Sequence, residues 1–362
     1  MENGRGIEWA GVEAEARGAE IAAGFRAALA GSEERRRPAA DWTAGELLAW
    51  WIEGHVDTRL SEGTAKRYRE VARHYIVPAI GDMPLSAVSA EVLQILIDQI
   101  VASGLSAASA RLAASVLHRA LAFAHSEGAT PCNAAEAIVR PRAKPRRPSL
   151  ILGADLAKLI AACRDEWFGP LIVTAATTGL RRSELLGLRR TDLLSVDRGE
   201  GRSPLRVFDL RYQIQTSGPA PRWVPLKTDS SIRQVPIPDG AYAMIARHIE
   251  AMDAKRARAG TRANWNRHGL IFPAPTGRVG SGRVVLTALR RALDRAGLPA
   301  TVRLHDLRHG YLVAQVEGGA TLEVAGKLLG HARIHTTYST YWHLTDQALS
   351  DAADRMNMPP GA

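Results

Sequence analysis

The chain has 362 residues, 46% hydrophobic and 23% charged, with 47 Lys and Arg against 37 Asp and Glu for a formal charge of +10. At roughly 150 residues per domain this predicts two domains and a short extra arm, ample to bury a core. No run of about 18 apolar residues could span a bilayer, and the start M-E-N-G-R-G-I-E-W lacks the regions of a signal peptide, so a cytoplasmic protein with no membrane contact is expected. The basic surplus favours a polyanionic partner, nucleic acid before acidic membrane, with a merely basic surface as the rival reading. Two cysteines, Cys132 and Cys163, form no zinc spacing and sit in apolar surroundings, which predicts core residues in a reducing compartment.

Residues 1–41, rich in Ala, Gly, Glu and Arg, form an arm with one helix expected over Val12–Leu29, weakened by Gly18 and Gly24. Thr43-Ala-Gly-Glu46 reads as a capping box opening a helix to about residue 55. A second helix starts near Ser61 and carries Lys66, Arg67, Arg69 and Arg73 among Tyr68, Val71, Tyr75 and Ile76. That basic face is either solvated or contacts phosphates, and the scarcity of nearby acids favours phosphates. I-V-P-A-I-G-D-M-P-L reads as a connector, followed by helices over 88–103 and 105–127, the latter with an apolar stripe of Ala108, Leu112, Val116, Leu117, Leu121 and Ala124. Residues 42–139 thus form a helical domain.

Residues 140–149 are a basic, Pro-rich linker. Its prolines keep it extended, and Arg140, Arg142, Lys144, Arg146 and Arg147 occur there without an acid, as suits a segment crossing a phosphate backbone. Beyond it, helices are expected from Gly153 and over 168–176, then a β region: Leu205–Gln215, Arg222–Lys227 and Arg233–Ile237, the last two joined by a T-D-S-S turn. Helices resume at 239–257 and 283–296, with 258–282 as loop. The class is mainly α (α+β): a helical N-terminal domain and a larger, mostly helical domain over 150–343 with a small antiparallel sheet, then a 344–362 tail.

The residues with chemical potential lie in the second domain. Arg181 follows the Gly179 break at a helix start, with Glu184 three residues on to orient its guanidinium; the fork suits phosphate oxygens, and a surface ion pair is the rival. In H-D-L-R-H, His305 and Arg308 share a helix face; His309 stacks under His305, so a metal pair is the rival, though no third ligand stands at a familiar spacing. Thr321 caps a short helix that Gly330 ends, delivering His331 as a positioned donor or a plain helix cap. The A-G-K at residues 325–327 lacks the upstream glycine of a phosphate loop. Tyr341 needs arginines and a base nearby to act as a nucleophile, since a free phenol titrates near ~10.

T-G-L-R-R-S-E-L-L-G-L, H-D-L-R-H and L-G-H-A-R-I-H-T-T-Y-S-T-Y-W-H-L, in that order, resemble the tyrosine recombinases, or phage integrase family. The resemblance covers about residues 150–350, and the 42–139 segment is similar to that family's core-DNA-binding domain. It implies a site-specific recombinase of a mobile element or prophage that works on double-stranded DNA at the nucleoid. Tyr341 would attack the phosphodiester and form a 3′-phosphotyrosine, with Arg181 and Arg308 clamping the phosphate. His305 would be general acid/base, His331 a hydrogen-bond donor, Lys227 the acid for the leaving 5′-oxygen and Glu184 the support of Arg181. No metal or other cofactor is implied. The T-T-x-x-x-Y spacing from Thr336 selects Tyr341 over Tyr338, Arg333 stands where many relatives carry serine, and residues 1–41 lack an arm-site β-domain. The amphipathic stretch after Tyr341 either folds onto its own domain or docks on a neighbour in a tetramer on DNA; accessory DNA-bending or directionality factors accompany such enzymes. A binding protein that has lost catalysis and a type IB topoisomerase-like nicking enzyme are the rival functions.

Overall fold

The computed structural model of the chain describes residues 38–39, 41–142, 146, 148–164, 166–218, 220–258, 265–331, 335, 337–338 and 341. The helices expected over Val12–Leu29 and in the 344–362 tail lie outside these residues, as do Lys144 and Arg147. The chain divides into two compact units, Met1–Lys144 and Pro145–Ala362.

In the first unit, α1 (Ala44–Trp51) opens on a complete capping box: Glu46 N–H donates to the Thr43 hydroxyl at 3.2 Å and Thr43 N–H to the Glu46 carboxylate at 2.8 Å. The helix continues through a π turn, Ile52–Val56, to Arg59. Helix α2 (Glu62–Val71) likewise passes through a π turn, Ala72–Ile76, into α3 (Val77–Ile80). The start of the expected connector is therefore helical. The wide turn shifts the hydrogen-bond register just ahead of Pro78, which then sits in a first turn where its missing N–H costs nothing. Helices α4 (Ala90–Ala102) and α5 (Ala107–Ser126) are capped by Ser89 and Ser106. On α5, Ala108 is exposed and Leu112 half-buried, so the buried face begins at Ala110 and runs through Ala113, Val116, Leu117, Leu121 and Ala124. Trp51, Val56, Ile76, Leu93 and Ile97 fill the core, each large side chain contributing about 1.5–3 kcal/mol on burial. Contrary to expectation, Cys132 is exposed, in the bend after α5; Cys163, in the second unit, is buried.

The second unit is built around α7 (Gly169–Thr178), whose Leu171, Ile172, Val173, Ala175 and Ala176 are all buried. Around it pack α6 (Gly153–Ala162), α8 (Arg182–Gly187), α9 (Asp239–Arg258), α10 (Gly282–Arg295) and α11 (Leu304–Glu317); α12 (Leu322–Leu329) packs on α11. The β region is antiparallel but divides into two small sheets. Strand β1 (Leu193–Val196), not anticipated, pairs with β2 (Leu205–Leu210), and β2 with β5 (Arg233–Pro236). Strand β3 (Tyr212–Gln215) pairs with β4 (Arg222–Pro225). The stretch expected as one strand over 205–215 thus breaks at Arg211. The cause is α8: Gly187 has no side chain, and a Cβ there would lie 2.9 Å from the Ile214 nitrogen. Trp223 donates its indole N–H to the Gly187 carbonyl at 2.8 Å. These contacts draw the β3–β4 hairpin onto α8, away from β2. No described helix is long and apolar enough to cross a membrane.

Candidate active site

The end of α12 is where the second unit gathers its charges. Thr321 caps the helix, its hydroxyl accepting from Val324 N–H at 3.4 Å, and Gly330 closes it in the left-handed region at φ 68. A helix end leaves carbonyls without backbone donors and carries partial negative charge. Here three consecutive carbonyls each receive an arginine from a different element. Arg233, at the start of β5, donates from Nε to Leu328 O at 2.7 Å. Arg308, in α11, donates from Nη2 to Leu329 O at 2.6 Å. Arg181, at the N-cap of α8, donates from Nη2 to Gly330 O at 3.0 Å.

Each arginine has a second anchor. Arg308 Nη1 donates to the Gly179 carbonyl at 2.6 Å. Gly179 ends α7 with φ 64, and a Cβ there would collide with Tyr311 and Leu329 at 2.5 and 2.7 Å, so glycine is required both for the turn and for the close approach. Glu184, with a fully buried side chain, accepts the Arg181 backbone N–H at 2.8 Å and its guanidinium at 2.9 Å. It also accepts Arg233, from Nη1 at 3.3 Å and Nη2 at 3.1 Å. Three guanidiniums against one carboxylate leave the cluster net positive.

Burial first, and that imbalance second, shift the neighbouring groups. Burial pushes the Glu184 carboxyl up, but the Arg233 and Arg181 guanidiniums outweigh it and hold the group below its ordinary value. Burial, then the Arg181 charge, pushes Arg308 down to about 9, still charged at neutral pH. Burial followed by Arg308 and Arg181 brings His331 down to about 4. His305 is lowered by burial and then Arg308, and His309 is brought to about 4 by burial and then His305. A net positive cluster beside imidazoles whose protonation burial and the arginines oppose can attract an anion.

The remaining candidates divide. His331 Nδ1 lies 2.8 Å from the hydroxyl of the buried Thr337. Tyr341, half-buried and helical, packs against the apolar cluster of Tyr311, Leu312, Ala325 and Leu329, the last of which gives its carbonyl to Arg308. Tyr338 is 51% exposed. His305 lies edge-to-face on His309, centroids 4.8 Å apart, and lines a groove of about 760 Å3 with Arg182, Ser183, Arg290 and Arg303. Among the described residues no group of three or more His, Cys, Asp or Glu is placed to hold a metal ion. Lys227 stays exposed in the bend after β4, and no hydrogen bond or ion pair reaches it among the described residues.

Of the basic residues expected on DNA, Lys66, Arg67, Arg69, Arg73, Arg140 and Arg142 are exposed, Arg69 being paired with Asp57. Arg146 differs from these in its bonding. Its guanidinium is committed to the protein, donating to both Asp306 oxygens at 3.0 and 2.8 Å and to Thr301 O at 2.7 Å. Asp306 is buried in the first turn of α11 and needs that cation. Arg233 was not anticipated: an arginine opening a four-residue strand carries no signal that its side chain is buried.

A family model described as the phage integrase family matches residues 153–348, and one described as the phage integrase N-terminal SAM-like domain matches residues 43–100. A tyrosine recombinase XerC-like protein of Caldanaerobacter subterraneus subsp. tengcongensis is 25% identical over 332 residues, covering 88% of this chain and 83% of its own. Tyrosine recombinase XerD of Mycobacterium tuberculosis is 33% identical over 259 residues, 69% of this chain and 73% of its own. In fold, the Tn1549 transposon integrase in complex with transposon right end DNA superposes with TM-score 0.67 at 18% identity, over 87% of this chain and 99% of that one. The lambda integrase tetramer bound to a Holliday junction gives 0.60 at 19%, over 83% and 77%. With one family model spanning more than half its length, the chain belongs to the phage integrase family of tyrosine recombinases.

Proposed function

We propose that this site-specific tyrosine recombinase cuts DNA with Tyr341 and rejoins it through a 3′-phosphotyrosine. The phosphodiester sits on the exposed side of Arg181, whose side chain is 34% accessible, and takes a further hydrogen bond from Arg308. The Tyr341 oxygen forms the new bond to phosphorus as its proton passes to His305. The bond to the 5′-oxygen breaks, and Lys227 supplies the proton that leaves with it. His331 donates to a non-bridging oxygen as charge builds in the transition state, which preorganised donors stabilise most. Attack of a second strand's 5′-hydroxyl on the phosphotyrosine restores the phosphodiester and frees the phenol. The bond energy stays in the protein–DNA link, so the chemistry requires neither nucleotide nor metal.

The observation carrying this reading is the convergence of three guanidiniums on the α12 terminus, with Tyr341 packed on the same patch. The enzyme works in the cytoplasm on nucleoid DNA, integrating or excising a mobile element. Residues 42–139 and the basic faces at Lys66–Arg73 and Arg140–Arg142 hold the core site. Four protomers assemble on DNA, as the solved lambda integrase tetramer does on a Holliday junction, coupled through the segment after Tyr341 and helped by an accessory bending or directionality factor.

The test uses a nicked duplex of the sequence that the full chain enriches from a random-sequence duplex pool. The wild type and Tyr338→Phe become covalently linked to it; Tyr341→Phe does not. An adduct that survives Tyr341→Phe moves the nucleophile elsewhere. No adduct with the wild type leaves a protein that binds without cutting.

A further inference from the structure

The Arg233 side chain is 6% exposed, yet it makes four hydrogen bonds, to Leu328 O, Ser231 O and both oxygens of Glu184. Arg181 shares Glu184 with it, but Arg181 is 34% exposed. Glu184 is thus held between a buried cation and a part-exposed one. We infer that Arg233 is a positioning residue for strand cleavage, neutralising Glu184 and pinning the end of α12 so that Arg181 and His331 face the phosphodiester in fixed geometry. The inference rests on the function proposed above.

Without Arg233, the buried carboxylate has Arg181 alone to neutralise it. The Arg181 fork then turns fully onto Glu184 and away from the phosphate. Leu328 O loses its donor at the same time, and the helix end that leads directly into Gly330 and His331 loosens. The site is shaped for this side chain: a Cβ on Gly330 would stand 2.8 Å from Arg233 Nη1. Lysine cannot replace it, because one ammonium cannot reach Leu328 O while spanning both oxygens of the carboxylate.

The experiment is a double-mutant cycle in the full chain, with Arg233→Lys, Glu184→Gln and the pair, on the nicked duplex defined above. Two quantities are read: the single-turnover rate of adduct formation at saturating DNA, and the Kd for the intact duplex. Arg233→Lys slows the adduct by about a hundredfold, the scale of an ångström's misplacement in an otherwise intact site, while Kd stays within about threefold. In the Glu184→Gln background the same change costs about tenfold, the worth of the Leu328 O bond still left to lose, because the carboxylate is already neutral. Adduct formation by Arg233→Lys at the wild-type rate overturns the inference. So does a Kd that weakens in step with the rate, or a full hundredfold loss persisting in the Glu184→Gln background. Should Arg233→Lys not fold, the pair, which lacks the buried carboxylate, gives the deciding rate against Glu184→Gln alone. A wild type without adduct defeats the proposed function itself, a failure visible before any substitution is made.

Discussion

The Thr337 hydroxyl stands 2.8 Å from His331 Nδ1, tying the segment that carries Tyr341 to the residue just past the end of α12. Thr337 is fully buried, and its hydroxyl lies 2.8 Å from where a Cβ on Gly326 would project. The imidazole is therefore held to the stretch of chain that leads to Tyr341. Thr337→Val keeps the shape and deletes the hydroxyl, so adduct formation slows by about five- to tenfold, the worth of one hydrogen bond, and Thr337→Ser restores it. Gly326→Ala pushes Thr337 aside and slows the adduct further. In both variants DNA affinity, followed by fluorescence anisotropy, stays at the wild-type level.

Glu184 is the only carboxylate bonded to the cluster among the described residues, and its side chain has no exposed surface. Glu184→Ala removes it from between two guanidiniums and leaves them facing each other. Breaking a buried pair from one side costs about 3–5 kcal/mol, readable as a lower urea midpoint at an unchanged slope. Glu184→Gln keeps the shape and one acceptor oxygen, so it unfolds at an intermediate midpoint. Equal midpoints for all three proteins would show that the carboxylate contributes nothing to the cluster.

Histidines set the acid limit. In the folded chain His331 and His309 titrate near about 4 and His305 lies below its ordinary 6.5, burial being the first cause in each case. The unfolded chain binds protons near 6.5 that the folded chain refuses, so stability is complete above that pH and is lost as pH falls toward 4. Melting temperatures should drop between pH 7 and pH 5. An arriving phosphodiester offsets the Arg308 and Arg181 charges that help depress His331, so DNA binding takes up protons and tightens as pH falls across the same range. Calorimetry in two buffers of different ionisation enthalpy measures the uptake; zero uptake would mean that no phosphate reaches these imidazoles.

Much of this site is legible along the chain because its parts obey local rules. Thr321 and Gly330 bracket α12 by cap and stop chemistry, and Gly179 announces the turn before Arg181. What lies hidden is decided by contacts across long separations. Arg146 reads as a DNA contact from its basic linker, since nothing nearby reveals Asp306, 160 positions away. Arg233 looks like an edge residue until the α12 terminus, 95 positions on, closes over it. The break between β2 and β3 depends on how closely Ile214 approaches Gly187, which period-two alternation cannot express. Pro78 stops a helix by local rules, and only the π turn before it lets the helix continue.

The two kinds of arginine separate in salt titrations. Arg67 and Arg73 are exposed on the helical run of the first unit, and each phosphate they neutralise releases counterions. Arg67→Ala and Arg73→Ala should each flatten the slope of log K against log salt by about one. Arg146 has its guanidinium bonded to Asp306 and Thr301, so Arg146→Ala should leave that slope unchanged. Its loss appears in the fold instead. Burial pushes the Asp306 carboxyl up, and the Arg146 hydrogen bond and the Arg303 N–H hold it down, so without Arg146 an under-compensated carboxylate sits in the first turn of the helix that carries His305 and Arg308. Arg146→Ala should melt earlier, and Asp306→Asn in the same chain should recover part of the loss. A flattened salt slope in Arg146→Ala, with no change in melting, would return that residue to the DNA-contacting set.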